Sequence, residues 1–131
     1  MSQLHFHMVG TAPFPVAPYS HAAEADGWVF ITGQLPIDAA EPEADLPAGI
    51  EAQTRKTMEN LQEVLQSLGL GFEQVVMARV FLTRFRQDYE PMNRVYAEYF
   101  DETRRPARTC VGVTGLARDA LVEIDLVARR A

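Results

Sequence analysis

The chain has a single cysteine, no long apolar run and fewer basic than acidic residues, and each of these scarcities excludes a class of protein. Cys110 stands alone, so no internal disulfide can form, which is typical of the reducing cytoplasmic compartment. No apolar stretch approaches the roughly 20 residues that a membrane-spanning helix needs. The opening residues lack the basic start and apolar run of a signal peptide. We therefore expect a cytoplasmic protein with no membrane partner.

The charge balance bears on the kind of partner. Twelve lysines and arginines stand against 18 aspartates and glutamates, which gives a net charge of −6. Affinity for a phosphate backbone comes largely from lysine and arginine, so this balance argues against general nucleic-acid binding. A small neutral or anionic metabolite is a better candidate, provided that a local arginine receives it.

Two segments show the three- and four-residue spacing of an amphipathic helix. The first predicts a helix over 50–68, which two glycines close. The second predicts a helix over 89–100, with Asp88 as its N-cap and Pro91 in its first turn. The two stripes consist of Ile50, Thr54, Met58, Leu61, Leu65 and Leu68 in the first, and of Met92, Val95, Tyr96 and either Tyr99 or Phe100 in the second.

The remaining apolar segments read as strands. They occupy 4–9, 28–32, 75–83, 109–113 and 121–128. Strands, a helix, a strand, a helix and two final strands form an order that is typical of an α+β fold with its helices on one sheet face. At 131 residues, with 47% hydrophobic content, the chain is expected to be one domain over 1–131.

The strand predicted over 75–83 is apolar on both faces. Alternation places one set of residues on one face, Val76, Ala78, Val80 and Leu82, and another on the opposite face, Val75, Met77, Arg79 and Phe81. Two helices can cover only one face of a sheet of five or six strands. The other face needs a partner, most simply another copy of this chain.

The last strand places an acid on that second face. Val122, Ile124 and Leu126 fit beneath the helices, which turns Glu123 toward the neighbouring copy. Glu123 is then either a solvated acid or structural ion pair, or a general acid/base whose pKa partial desolvation raises.

Three further residues have an ordinary reading beside a functional one. Arg108 is either a surface charge or a planar fork that grips a substrate carboxylate. Cys110 shares its face, and without a nearby histidine and acid it reads as a small apolar residue rather than a nucleophile. Gly33 either exposes backbone N–H groups to a ligand or serves a turn. His5 and His7 share a strand face, but two ligands without a third do not make a metal site.

Seven stretches of the chain match a known pattern in order and spacing. They read Ala-Pro-Tyr-Ser-His-Ala (17–22), Val-Phe-Ile-Thr-Gly-Gln-Leu-Pro (29–36), Gln-Thr-Arg-Lys-Thr-Met-Glu-Asn-Leu (53–61), Val-Phe-Leu-Thr (80–83), Met-Asn-Arg-Val-Tyr-Ala-Glu-Tyr-Phe (92–100), Arg-Pro-Ala-Arg-Thr-Cys-Val (105–111) and Leu-Val-Glu-Ile (121–124). Along nearly its whole length the chain resembles the RidA/YjgF family of reactive-intermediate deaminases.

That resemblance implies a chorismate-mutase-like two-layer fold, a homotrimer whose sheets form a central barrel, and ligand clefts between subunits. It also implies hydrolysis of enamines and imines, such as 2-aminoacrylate and 2-iminopropanoate, to 2-keto acids and ammonia without a metal or organic cofactor. By position, Arg108 would hold the substrate carboxylate and Glu123 would activate water. The cleft would be lined by Tyr19, Thr32, Gly33, Asn93 and Cys110.

The chain departs from the family pattern at three positions. Ala17 replaces a usual glycine, His21 a usual glutamine and Ala117 a usual proline, all in loops expected near the cleft. These departures bear on the substrate rather than on the fold. A non-catalytic trimeric metabolite-binding protein is the alternative reading. A ribonuclease or translation inhibitor ranks third because of the acidic charge.

Overall fold

A six-stranded mixed sheet carries two α-helices in the computed structural model, which describes residues 3–131. The strands are β1 (His5–His7), β2 (Ala22–Ala25), β3 (Trp28–Gln34), β4 (Val75–Leu82), β5 (Ala107–Gly112) and β6 (Val122–Arg129), and the helices are α1 (Ile50–Ser67) and α2 (Phe85–Ala97). The strand order across the sheet is β1-β2-β3-β6-β4-β5. The strands β4 and β5 run parallel and the other neighbours run antiparallel.

The predicted α+β class, with both helices on one sheet face, is confirmed. The core lies between those helices and the inward side chains of β3, β4 and β6, which include Val29, Ile31, Ala78, Val80, Leu82, Val122, Ile124 and Leu126. The stripe of α1 contributes Met58, Leu61 and Leu65. Neither helix in residues 3–131 combines the length and the apolarity that crossing a bilayer requires.

Strand β2 escaped the sequence prediction because its four residues are short, small and partly polar. It pairs with β3 through a turn at Asp26 and Gly27, whose φ angles are 55° and 82°. Positive φ at two adjacent turn residues is the geometry that an Asp-Gly pair favours in tight hairpins. The Asp-Gly pair was therefore a readable signal for this hairpin.

The predicted bounds of the second helix were wrong at both ends. Helix α2 begins at Phe85, which stacks on Tyr89 at a ring separation of 4.8 Å and so extends the apolar stripe by one turn. Asp88 is not the N-cap, because it lies buried within the first turn, where desolvation raises the pKa of its carboxyl group. The helix ends at Ala97, although Phe100 still packs in the core.

The predicted alternation of β4 fails at its first residues. The pairing with β6 shifts register between Val75 and Met77, as in a β-bulge. Val75 is consequently buried and Val76 is exposed, the reverse of the prediction. From Ala78 onward the strand alternates as expected.

The sheet face opposite the helices is open in the single chain. It presents aromatic side chains at substantial exposure, 65% for Phe6, 42% for Trp28 and 52% for Phe30. Apolar surface of this extent on one face is typical of a contact with another molecule. This open face is the surface that the sequence assigned to a further copy of the chain.

Candidate functional site

The open face contains a cavity of about 820 Å³. Its walls come from strands β1, β2, β3, β4 and β6 and from the loop before β2. Three of the predicted site residues, Tyr19, Thr32 and Gly33, line it together with Phe6, Ser20, Ala22, Ala23, Phe30, Ile31, Met77, Arg79, Asp125, Leu126 and Val127. The cavity therefore combines an aromatic wall with a charged pair at one side.

Thr32 and Gly33 occupy an irregular stretch of β3. The pairing of β3 with β6 shifts register between Ile31 and Gln34, so both residues leave the regular ladder. Thr32 donates its hydroxyl to the Ser20 carbonyl at 2.6 Å. The end of β3 is therefore an irregular stretch of strand beside the cavity.

Gly33 lies inside β3 rather than in a turn, so the turn interpretation was wrong. A Cβ atom built on Gly33 would overlap the carboxylate of Glu123. The glycine is therefore required for the close approach of that carboxylate to the strand. The structure thus brings Gly33 and Glu123 together on the open face.

The side chain of Glu123 is half-buried, and its carboxyl group accepts no hydrogen bond from any of the residues 3–131. Desolvation raises the pKa of its carboxyl group, nearby Asp125 raises it further, and Arg79 opposes the shift. The ion pair on this face belongs to Asp125, which accepts two hydrogen bonds from Arg79 at 2.9 and 2.8 Å. Glu123 is accordingly neither a freely solvated acid nor a paired one.

Arg108 lies on β5 opposite Ala78, which places its side chain on the helix side of the sheet. Its guanidinium group donates to Asn93 Oδ1 at 2.8 Å and to the Tyr89 hydroxyl at 3.4 Å. The group also lies over the ring of Tyr96, with Cζ 4.9 Å from the ring centroid. These contacts hold the guanidinium in place, unlike a mobile surface charge.

A second cavity, of about 320 Å³, adjoins this arginine. It is lined by Asn93, Tyr96, Ala97, Phe100, Arg105, Pro106 and Arg108. Asn93 thus does more than line a cleft, since its carbonyl oxygen orients the Arg108 fork. The roles of Tyr89 and Tyr96 were missed by the sequence analysis. Their spacing from Asn93, at four and three residues along one helix, was the available signal.

Cys110 shares the helix side with Arg108, as the strand alternation predicted. Its side chain packs against the core, and burial raises the pKa of the thiol while Arg108 opposes that shift. A thiol with a raised pKa is a poor nucleophile at neutral pH. The apolar interpretation of Cys110 is the one that this environment favours.

The predicted site residues therefore form two separate groups in one chain. One group, at the open face, consists of Tyr19, Thr32, Gly33 and Glu123. The other lies on the helix side of the sheet, with Arg108 and Cys110 on the edge strand β5 and Asn93 on α2. Strands β5 and β6 follow one another in the sequence but flank β4 in the sheet.

The two histidines of β1 have other surroundings. His7 Nε2 lies 2.9 Å from a carboxylate oxygen of Glu24, which also accepts hydrogen bonds from Arg130. These contacts lower the pKa of Glu24 to about 2, chiefly through Arg130. Over the part of the chain that the structure describes, no three His, Cys, Asp or Glu side chains gather as a potential metal-ligand set.

The sequence of this chain is similar to those of several known proteins. The sequence pattern of the endoribonuclease L-PSP family matches residues 9–130. A RutC family protein of Synechocystis is 43% identical over 117 residues, which cover 89% of each chain. A protein of Acinetobacter baylyi named 3-aminoacrylate deaminase RutC is 42% identical over 119 residues, 91% of each chain.

Solved structures extend the likeness to the fold. The crystal structure of Escherichia coli TdcF with bound serine superposes with a TM-score of 0.86 at 30% identity. The superposition covers 95% of the present chain and 99% of that one. The region matched by the family pattern, residues 9–130, includes both groups of candidate site residues.

Proposed function

Because the chain belongs to the endoribonuclease L-PSP family, that of the RidA/YjgF and RutC proteins, we propose that it hydrolyses reactive enamine and imine acids. The substrates are of the 2-aminoacrylate and 2-iminopropanoate type, and the products are 2-keto acids and ammonia. The observation that carries the proposal is the carboxyl group of Glu123. It lies over Gly33, half-buried and with a raised pKa, beside a cavity large enough for such an acid.

The site is proposed to form between copies of the chain in a homotrimer. Arg108 and Glu123 face opposite sides of the sheet, so one copy would supply the arginine and its neighbour the acid. The apolar open face supports this assembly, since contact with another copy would remove Phe6 and Phe30 from water.

Each group has a defined part in the proposed reaction. Arg108, oriented by Asn93, binds the substrate carboxylate through paired hydrogen bonds. Glu123 takes a proton from water as the water oxygen adds to the imine carbon, and it returns that proton to the imine nitrogen. In the resulting carbinolamine, Glu123 takes the hydroxyl proton and passes it to the amino nitrogen, so that ammonia leaves as the C–N bond breaks and the carbonyl forms. Thr32, Gly33, Tyr19 and Cys110 line the cleft.

The raised pKa of Glu123 suits this role. A carboxyl group whose pKa lies nearer neutrality can both accept and return a proton at the working pH. An imine carbon is already electrophilic, so holding water and substrate in register accounts for much of the remaining acceleration. No cofactor is assigned to the reaction.

A non-catalytic metabolite-binding protein that uses the same cleft is the second candidate. It is favoured by one comparison, because the TdcF structure holds serine, a stable amino acid. The two candidates differ over Glu123. A carboxylate binder needs the cation but has no use for a half-buried proton acceptor.

A coupled assay separates the candidates. An amino-acid oxidase generates 2-iminopropanoate or 2-iminobutanoate in situ, and the decay of the imine is recorded with this protein, with its Glu123→Gln variant and with neither. Of the three reactions, we expect only the one with the native chain to show faster decay of the imine. Ammonia and keto acid should form in equal amounts. Unchanged decay in the presence of the folded protein would favour a metabolite-binding protein. Cleavage of an RNA control would favour a ribonuclease, the third alternative.

A further inference from the structure

His21 is buried, with 1% of its surface exposed, and both of its ring nitrogens are bonded to backbone groups. Nδ1 accepts the Val9 N–H at 2.8 Å, and Nε2 lies 2.7 Å from the Pro13 carbonyl oxygen. A carbonyl can only accept, so Nε2 carries the hydrogen. A backbone N–H can only donate, so Nδ1 carries a lone pair. The geometry therefore requires the neutral imidazole in one tautomer.

The backbone of His21 is hydrogen-bonded to residues of the sheet. Its N–H donates to the His7 carbonyl at 3.0 Å, and its own carbonyl accepts the Thr32 N–H at 3.0 Å. The ring reaches from this anchored position to both ends of the segment 9–13. One residue thus joins the loop 9–20 to the stretch of β3 that carries Thr32 and Gly33.

The loop makes few other hydrogen bonds to the sheet, although the side chains of Val9 and Ala12 pack in the core. Prolines at 13, 15 and 18 remove three backbone donors. Hydrogen bonds of Ala12, Val16 and Tyr19 stay within the loop. The second tie to the sheet is the Thr32 hydroxyl bond to the Ser20 carbonyl. Among the few hydrogen bonds that attach this loop, and with it Tyr19, two involve the ring of His21.

We propose that His21 is a positioning residue whose neutral imidazole holds the loop 9–20, and with it Tyr19, against the Thr32–Gly33 stretch. A side chain without the acceptor and the donor of this ring would leave the Val9 N–H and the Pro13 carbonyl without partners. The site is too buried for water to bridge them at no cost, and a buried group without a partner is destabilising. The consequence for activity rests on the proposed deaminase function.

Other titratable groups surround this assembly. Tyr19 lines the small cavity beside the ring, Glu123 lies against Gly33, and His7 is bonded to the backbone of His21 and paired with Glu24. A change in any of them could alter activity by itself. A variant that alters His21 alone, with all of these groups retained, isolates its contribution.

Glutamine is that variant. Its amide offers one acceptor and one donor group, as the neutral imidazole does, and it does not titrate between pH 5 and 8. At pH 8, we expect His21→Gln to keep activity within about threefold of the native chain. The variant His21→Leu removes both bonds and should lose activity by up to about 10²-fold, the scale of a displaced active-site group.

The contrast between the two variants then tests the role itself. A residue that only fills space tolerates leucine about as well as glutamine, whereas a residue that acts through its two hydrogen bonds keeps its role only in His21→Gln. The exposed His5 serves as the control, since His5→Gln should keep the native activity. Equal activity of His21→Leu and His21→Gln would overturn the proposal.

A second measurement does not depend on activity. The Val9 amide, whose N–H bonds to the ring, should exchange with solvent slowly in the native chain and in His21→Gln, and faster in His21→Leu. If no imine is turned over, the proposed function fails and the exchange of the Val9 amide alone tests whether His21 holds the loop. Equally slow exchange in all three proteins would overturn the proposal even in an active enzyme.

Discussion

Arg108 and Glu123 project from opposite faces of one sheet, and β4 separates the strands that carry them. Arg108 pairs across the ladder with Ala78, which is buried beneath the helices. Glu123 pairs with Phe81 on the open face. A single copy therefore cannot present both groups to one small substrate, and any joint role of the two requires a second copy.

The first prediction concerns assembly. Light scattering of the native chain should give the mass of three 14.7 kDa chains. Phe30→Asp should weaken this assembly, because burying an aromatic side chain of this size contributes about 1.5–3 kcal/mol. Gln62→Asp, on an exposed position of α1, is the matched control and should stay trimeric. A folded native monomer would remove the basis of the intersubunit site.

Arg108→Ala should leave the assembly intact and remove most of the activity. The variant loses the charge partner of the substrate carboxylate, and hydrogen bonds to charged groups contribute roughly 1.5–3 kcal/mol each. Each lost bond then lowers kcat/KM by roughly 10- to 150-fold. Arg108→Lys should recover only part, since a point charge cannot reproduce the planar fork. Full activity of the alanine variant on a 2-imino acid would exclude the binding pose.

Mixing two inactive variants tests which copy supplies which residue. Arg108→Ala and Glu123→Gln chains, unfolded together at equal amounts and refolded, should form mixed trimers. If each site takes its arginine from one copy and its acid from the next, about a quarter of the sites are intact and about a quarter of native activity returns. Activity no higher than that of the separate variants would show that the arginine and the acid of each site come from the same copy.

Glu123→Gln separates catalysis from binding. The change keeps the size of the side chain but removes proton exchange, so turnover should fall by roughly 10²–10⁴-fold. Affinity for the stable keto-acid product should change little, because Arg108 provides the charge contact. The measurement pairs steady-state rates with product titration calorimetry. A large loss of affinity with a modest loss of rate would assign Glu123 to binding instead.

The same variant has a predicted effect on stability. The pKa of Glu123 is raised in the folded chain by desolvation first and by Asp125 second, so ionisation of this group disfavours folding. Its contribution to stability is present below the ordinary glutamate pKa and is lost as pH rises through the raised value. The melting temperature of Glu123→Gln should therefore exceed that of the native chain at pH 8, with a smaller difference at pH 4. Scanning calorimetry at the two pH values measures both differences.

Gly33→Ala should disturb the site without unfolding the chain. The added methyl group would occupy the position of the Glu123 carboxylate and displace it. A displacement of this order is expected to lower turnover by up to about 10²-fold. Gly115→Ala is the control, since a Cβ atom there meets nothing within 4 Å. Native turnover in Gly33→Ala would show that the contact with Glu123 is dispensable.

Much of the local structure could be read from the sequence because it depends on near neighbours. The stripe of α1 follows from the helical repeat, and the inward faces of Ile124 and Leu126 follow from strand alternation. The shared face of Arg108 and Cys110 follows in the same way. The sequence analysis missed the start of α2 and the reversed exposure of Val75 and Val76. An added helical turn and a β-bulge leave little trace in a periodic pattern.

The sequence by itself determined the α+β class and the two helices, and it predicted the residues of the candidate site. The tertiary structure decided how those residues are divided between the two faces of the sheet. Strand order places β4 between β5 and β6, and register turns Arg108 and Glu123 to opposite faces. The hydrogen bonds of the His21 ring with the backbone of Val9 and Pro13 are likewise visible only in the folded structure. The physical reason is that periodicity records which face a residue takes on its own element, whereas pairing between distant strands and loops is settled by long-range packing and hydrogen bonding.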